Sequence, residues 1–374
     1  MKALDASLQE VSEGCTECNI CVKQCAFLKK FGTPKKIADD WQPNNEKSLN
    51  MAFECSLCSL CEAVCPVKIN PKRMFLEMRR YAVAKDRADL NKQRLLLNFE
   101  KRGTSKRYSF YGLPTGSDAV LFPGCALAGS RPHRVEQLYE SMLSFFPNLG
   151  IALDCCTKPS HDLGRSEYFH AMFYEMEQYL VSHGIKTVLV ACPSCYVVFK
   201  NNSQNLTALS VYEVLAKEPG HGGDMLSAEP VTIQDSCVVR YEENLQNSVR
   251  KLIQSKGVSY EEMKHHGKKT LCCGEGGGAH FMSPDLAGNW CEMRKTEVGG
   301  KQIITYCAGC AHFLKKAGPT AHLLDLLYDP AGTLAGKAKV TKSPFTYLNR
   351  LLLKRKFQRK KQYGFSRERI FDKT

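Results

Sequence analysis

The sequence has no run of the 18 or so consecutive apolar residues that a membrane-spanning helix needs, and its best stretch, around Thr187 to Ala191, is strand-sized. The opening residues MKALDASLQEVSEG carry Asp5, Glu10 and Glu13 without an apolar core of leader length, so a cleaved export signal is not expected. The thiols are therefore expected to stay in a reducing, cytoplasmic setting. No G-x-G-x-x-G motif opens a helix after a strand, and no flavin motif is present, so the primary dehydrogenase or donor site is expected on other subunits. Balanced charge is missing from one place only. The 374 residues carry a net charge of +14, but Lys337 to Thr374 hold thirteen Lys and Arg against Glu368 and Asp372. An argument about acidic partners thus applies to this tail and not to the nearly neutral body.

Cysteine is what the sequence has in excess, at 19 of 374 residues. In a reducing compartment, an odd number of cysteines arranged in C-x2-C groups reads as metal or cluster ligation before it reads as a disulfide framework. Eight of them form Cys15-x2-Cys18-x2-Cys21-x3-Cys25 and Cys55-x2-Cys58-x2-Cys61-x3-Cys65, the latter followed by Pro66. This is the spacing at which three thiolates grip one 4Fe-4S cube and the fourth reaches across to the other. It pairs Cys15, Cys18 and Cys21 with Cys65, and Cys55, Cys58 and Cys61 with Cys25. Structural zinc sites present two pairs rather than three C-x2-C steps plus an outlier, which disfavours zinc and a zinc-based nucleic-acid module. Cys25 departs from the usual pattern in being followed by Ala26. The long gap between the two motifs, from Cys25 to Cys55, resembles the α-helical ferredoxin domain of succinate dehydrogenase iron–sulfur subunits.

Ten more cysteines form an internal repeat, leaving only Cys291. The first copy runs Cys125, then Cys155-Cys156, then Cys192-x2-Cys195; the second runs Cys237, then Cys272-Cys273, then Cys307-x2-Cys310, in the same order and at similar separations. Duplication is the simplest account. Adjacent cysteines cannot easily turn into one tetrahedral site, so each pair points to a multi-iron centre with an accessible face, on which a disulfide can be split. Runs of β-forming residues lead into the groups (AVLF, TVLVA, VTIQ, QIITY), and helix-length amphipathic stretches such as Glu167 to His183 and Pro284 to Val298 lie between. The expected class is α/β: an α-helical ferredoxin-type region followed by two repeated α/β cysteine-rich domains with parallel sheets and ligands at strand C-terminal ends. The expected segments are 1–100, 117–220, 228–330 and a basic amphipathic tail, 331–374.

With its triplet Cys272-Cys273-Gly274, this pattern resembles the cysteine-rich (CCG) domains of heterodisulfide reductase catalytic subunits. Those domains recur in the iron–sulfur subunits of anaerobic glycerol-3-phosphate, glycolate and lactate dehydrogenases, and the resemblance covers about residues 12 to 325. It implies two cubane 4Fe-4S clusters on the octet and two non-cubane 4Fe-4S clusters on the five-cysteine sets. It also implies reduction of a disulfide, with Cys237, Cys272, Cys273, Cys307 and Cys310 as the reacting set. The alternative is an electron relay from a flavin dehydrogenase to menaquinone. Expected partners are a flavoprotein, a hydrogenase or a membrane cytochrome, with nucleic acid disfavoured.

The first copy breaks the triplet with Thr157, which puts that site's geometry in question, whereas Gly274 and Gly276 to Gly278 suit close backbone approach. His161 and His280 are candidate proton donors whose default reading is polar loop residues, Lys158 reads as a solvated lysine, and Cys291 as a buried thiol. In the tail, Phe345, Leu348, Leu352 and Phe357 among basic residues suit an interfacial helix on anionic lipid, with nucleic-acid binding as the runner-up and a solvated tail or a dock for an acidic subunit as the bland alternatives.

Overall fold

The computed structural model describes residues 2–218, 229–360 and 362–370. The expected segment ends at 1, 220 and 228, and tail residues 361 and 371–374, lie outside the described residues.

The N-terminal region is a set of helices tied by loops. Helix Lys2–Gly14 buries Leu4, Ser7 and Val11, a one-face spacing, and Pro71–Ala84 buries Met74, Phe75, Met78 and Ala82. Between them lie short helices with local start signals. Thr33 and Asn70 cap Pro34–Asp39 and Pro71–Ala84 by accepting from Lys36 N and Arg73 N, with proline in each first turn. Phe27 meets Phe75 edge-on at 5.1 Å in the core that backs the cysteine loops. Two helices, Pro71–Ala84 and Arg94–Gly103, separated by a break, lead from this region toward the first sheet.

Two sheets follow. The first contains β1 (Phe110–Leu113), β2 (Ala119–Phe122), β3 (Gly150–Leu153), β4 (Thr187–Val190) and β5 (Thr207–Ser210). The second contains β6 (Val231–Gln234), β7 (Tyr260–Glu261), β8 (Ile303–Thr305) and β9 (Thr320–His322). The parallel order β3-β2-β4-β5 recurs as β7-β6-β8-β9, so the duplication read from cysteine spacing is also present in the topology. β2, β3 and β6 are buried at every position, as strands covered by helices on both faces must be. Arg131 and Arg134 of the first copy clamp Asp325 of the second at 2.6 and 3.1 Å, all three side chains being buried.

The tail departs from expectation because it folds back. β10 (Phe365–Arg367) pairs antiparallel with β1, which itself pairs antiparallel with β3. Helix Phe345–Gln358 packs on helix Cys125–Ser130 and buries Arg350, Leu353, Lys354 and Phe357. Lys354 donates to Lys106 O at 2.6 Å and pairs with Glu368 at 2.7 Å, while buried Arg369 lies 3.3 Å from Asp154 and 3.0 Å from Glu175. The expected apolar stripe splits. At 100° per residue Phe345, Leu348 and Leu352 share one face, which is exposed, whereas Phe357 is turned well away from it and enters the core. Among the described residues no helix is long and apolar enough to cross a membrane.

Candidate metal centres

All nineteen cysteines are free thiols. The two N-terminal motifs form loops of the same shape. In each, the residues two and four places after the first cysteine take positive φ: Glu17 (51°) and Asn19 (61°), then Leu57 (49°) and Ser59 (58°). Non-glycine residues adopt this conformation rarely and at a cost, and succession in and out of it turns backbone N–H groups inward. Leu57 N donates to Cys55 Sγ at 3.4 Å.

The loops and the outlying cysteines enclose two cavities. One is lined by Cys55, Cys58, Cys61 and Cys25; the other by Cys15, Cys18, Cys21 and Cys65, with Cys61 at its edge. The fourth thiol thus crosses over from the other motif in both cases. The cavities differ in surroundings. The outer one sits in an exposed loop, Thr16 to Ile20, with Cys18 itself exposed and Glu17 as its only charged lining residue. The inner one is walled by Phe27, Leu28, Leu60, Phe75 and Trp290, with Lys72 and Glu54 at its margin.

Each five-cysteine set gathers at the C-terminal ends of its sheet. Cys125 and Cys237 follow β2 and β6, Cys155-Cys156 and Cys272-Cys273 lie in the connections that leave β3 and β7, and Cys192-x2-Cys195 and Cys307-x2-Cys310 follow β4 and β8. In the first set Cys195 Sγ lies 3.1 Å from Cys156 Sγ, and Cys125 meets Cys155. In the second, Cys272 meets Cys237 and Cys273, and Cys310 meets Cys273 and Cys307. Cys272 also meets Cys58, so the inner N-terminal cavity and the second set adjoin. Cys192 and Cys307 are close enough to sense each other's charge, which turns the two sets toward one another.

Electrostatics tests whether these sites fit a metal centre. Burial pushes the Cys21 thiol up to about 11, helped by Cys15 and Cys18, and pushes Cys55 to about 11. Cys58 is drawn down to about 6, first by its contact with Cys272 and further by Arg240. Cys155, Cys195 and Cys310 lie well above the ordinary thiol value through neighbouring thiols and burial. Thiols crowded this way cannot all ionise without added positive charge. Soft all-sulfur donor sets, two of them disposed around the N-terminal cavities, fit iron–sulfur clusters.

The residues after the pairs separate the copies. Thr157 adopts the positive φ of 55° that the missing glycine suggested, and its buried Oγ1 has no hydrogen-bond partner among the described residues. Gly274 has φ 100°, and a Cβ there would stand 2.6 Å from Ala287 O. The glycines beyond it are no loose surface loop: Cβ atoms on Gly276 and Gly277 would stand 2.4 Å from Ser56 O and 2.9 Å from Cys55 O. Lys158 is not a freely solvated lysine but pairs with Asp162, which also meets His161 Nδ1 at 2.9 Å. His280 is half-buried against Phe281 and Phe313, and Cys291 is buried with its Sγ 3.7 Å from Phe313 O.

Three features escaped the sequence. Glu275 reaches between the two sets; burial, then the Cys273, Cys192 and Cys125 thiolates, push its carboxyl up to about 8. Arg79 and Arg240 hold the Cys55–Cys58 loop at its two ends, donating to Cys55 O and Cys58 O. The signal for Arg79 was its place on the apolar face of Pro71–Ala84, one turn from Phe75.

Comparison with known proteins agrees with this geometry. Residues 14–70 match the 4Fe-4S dicluster domain family, and residues 119–200 and 231–315 match the Cysteine-rich domain family. The chain is 24% identical over 343 residues to one subunit of the fumarate reductase (CoM/CoB) of Methanothermobacter marburgensis, covering 81% of this chain and 67% of that protein. It is 21% identical over 329 residues to one subunit of the dihydromethanophenazine:CoB–CoM heterodisulfide reductase of Methanosarcina barkeri, covering 74% and 80%. It is 23% identical over 269 residues to the EtfAB:quinone oxidoreductase of Syntrophomonas wolfei, covering 62% of this chain but only 37% of that longer protein.

Proposed function

Because the chain belongs to the CCG-domain iron–sulfur proteins, as an electron-transfer oxidoreductase subunit of the heterodisulfide reductase-like family, we propose that it carries four clusters and delivers electrons to a disulfide. Cys15, Cys18, Cys21 and Cys65 would hold one cubane, and Cys55, Cys58, Cys61 and Cys25 the other. Cys125, Cys155, Cys156, Cys192 and Cys195, and Cys237, Cys272, Cys273, Cys307 and Cys310, would each hold a non-cubane 4Fe-4S cluster. Bound clusters supply one-electron transfer; the protein supplies ligands, insulation and order. Two electrons and two protons convert a disulfide to two thiols, the electrons coming from a flavoprotein, hydrogenase or membrane cytochrome subunit. The observation that carries this reading is that two five-thiol sets face each other while the second touches the inner N-terminal site through Cys58 and Cys272.

Anaerobic iron and sulfide analysis tests it: four 4Fe-4S centres require about sixteen irons per chain. A zinc-only, colourless protein would end it. A paramagnetic signal from the oxidised protein that depends on added disulfide, and is lost in Cys273→Ser, is the expected sign of substrate at the second set.

One observation favours a second reading, relay to menaquinone from the cytoplasmic face of a membrane. Phe345, Leu348 and Leu352 form an exposed apolar stripe on a helix that also exposes Arg355, Lys356 and Arg359. On this reading the full chain sediments with anionic vesicles in a salt-sensitive way and shows no disulfide-dependent signal.

A further inference from the structure

The two N-terminal cavities are alike in ligands and unlike in charge. Arg79 is fully buried, and its hydrogen bonds all end on backbone carbonyls: Ala52 O at 3.0 Å, Cys55 O at 2.5 Å, Asp162 O at 2.8 Å and Gly277 O at 2.7 Å. Those carbonyls belong to the N-terminal region and to both repeats. Arg240, also buried, donates to Cys58 O at 2.8 Å, to Thr270 O at 3.1 Å and to Lys268 O. Asp162, the carboxylate nearest Arg79, is already engaged by Lys158 and His161. Two buried cations whose hydrogen bonds end on carbonyls alone, Arg79 having besides only the Phe53 ring at 5.2 Å and a share of the Asp162 charge, are short of counter-charge, an expensive arrangement unless an anion lies beside them. Both touch the loop between Cys55 and Cys58. Among the described residues that line the outer cavity there is no cation, and the one charged side chain is Glu17.

Resting on the four-cluster reading, we infer that Arg79 and Arg240 set the order of reduction potentials of the two cubanes, placing the inner, Cys55-loop cluster above the outer, Cys15-loop cluster. A cubane held by four thiolates is anionic and becomes more so on reduction. Burial alone therefore opposes reduction of the inner cluster and would place it below the solvent-exposed outer one. Two unscreened guanidiniums favour the reduced form and reverse that order, so an electron arriving at the exposed loop runs inward toward Cys272. Lys72 adds to the same effect from a partly exposed position where water screens it. The residues act through the field at the cluster, not by contact with substrate.

The test is a redox titration of the anaerobically purified full chain followed by electron paramagnetic resonance. A soluble dysprosium chelate, which speeds relaxation of the more exposed centre, identifies the outer cubane. In the unmodified protein the dysprosium-sensitive cubane should have the lower potential; the opposite order overturns the inference without any variant. In Arg240→Gln, at unchanged iron content, the dysprosium-insensitive signal alone should move to lower potential, and Arg240→Lys should recover most of the shift. Arg79→Gln should act in the same direction, though loss of four carbonyl bonds there can cost folding, which is why Arg240 is the primary variant. Unmoved potentials, or equal movement of both cubanes, refute the role. Absence of two cubane signals refutes the four-cluster reading instead, so the two failures are distinguishable.

Discussion

Exchanging the residues that follow the two Cys-Cys pairs gives a sharp test of how the copies differ. In Gly274→Thr, a side chain must enter at φ 100° with its Cβ 2.6 Å from Ala287 O, a distance real Cβ contacts do not reach. Left-handed backbone costs an L-residue about 1–2 kcal/mol, and overpacking in a tight interior typically costs about 1–3 kcal/mol. The expected destabilisation is the sum of these, about 2–5 kcal/mol. Thr157→Gly runs the other way. It relieves about 1–2 kcal/mol of left-handed strain and removes a buried hydroxyl left without a partner, worth about 1–3 kcal/mol. Against that stand up to about 1 kcal/mol of added unfolded-chain freedom and about 0.8 kcal/mol for one lost buried methyl. The net lies between nothing and about 3 kcal/mol of stabilisation. Urea unfolding of the anaerobically purified chain, followed by far-ultraviolet circular dichroism with iron assayed beforehand, should show Gly274→Thr with the lower midpoint and depleted iron. Thr157→Gly should match or exceed the parent. Equal shifts in one direction, or an unaffected Gly274→Thr, would show that the clash and the strain are not what distinguishes the two sites.

Other perturbations have equally definite outcomes. Burial, reinforced by Arg131, pulls His322 down to about 3 from an ordinary value of about 6.5. The unfolded chain therefore binds a proton that the folded chain refuses across that interval, so this contribution is complete above about pH 7 and is lost as pH falls. His322→Asn, which keeps an acceptor for Leu324 N, should flatten the loss of stability between about pH 7 and 5 in urea midpoints. Asp325→Ala strands Arg131 and Arg134 without their shared carboxylate and should cost about 3–5 kcal/mol, seen as a lowered thermal midpoint. Leu348→Ser with Leu352→Ser should abolish any vesicle binding while circular dichroism stays unchanged. Deleting the tail is the wrong test, because it removes Leu353 and Phe357 from the core.

What was legible follows the range of the forces involved. AVLF, TVLV, VTIQ and IIT could be read as strands because buried parallel strands are continuous apolar runs, and here each is followed at once by a cysteine-bearing turn. Spacing alone suggested grouping each cysteine triple with the other motif's outlier, and those residues line the two N-terminal cavities. The tail was not. Four of its cations, Lys354, Lys356, Arg367 and Arg369, are answered by Glu368, Glu136, Glu175 and Asp154, and all but Glu368 lie far back in the chain, within the first repeat. Local charge counting therefore saw an unpaired basic run. The positive φ values at Glu17, Leu57 and Ser59 were equally hidden, since only Asn19 among those four residues is a type that favours the conformation. Arg240 carries no local signal at all, because its role exists only once the Cys58 carbonyl is brought against it.

The asymmetries of the second copy bear on one another. A glycine run lets its Cys-Cys turn lie against the Cys55–Cys58 loop, which brings Cys58 to Cys272, and the two buried guanidiniums sit where that junction forms. The first copy has Thr157 at the matching turn and a Lys158–Asp162 pair behind it, and its helix Cys125–Ser130 is packed by the C-terminal helix. The first set's thiols are linked to the second's through the facing Cys192 and Cys307, while the second set also touches the octet through Cys272 and Cys58. On the proposed reading, electrons then reach the first set by way of the second. A variant that empties the second set, such as Cys273→Ser, should leave the first slow to reduce from the N-terminal clusters even when its own five cysteines are intact. Stopped-flow reduction of that variant at the parent rate would show instead a direct route that bypasses the junction.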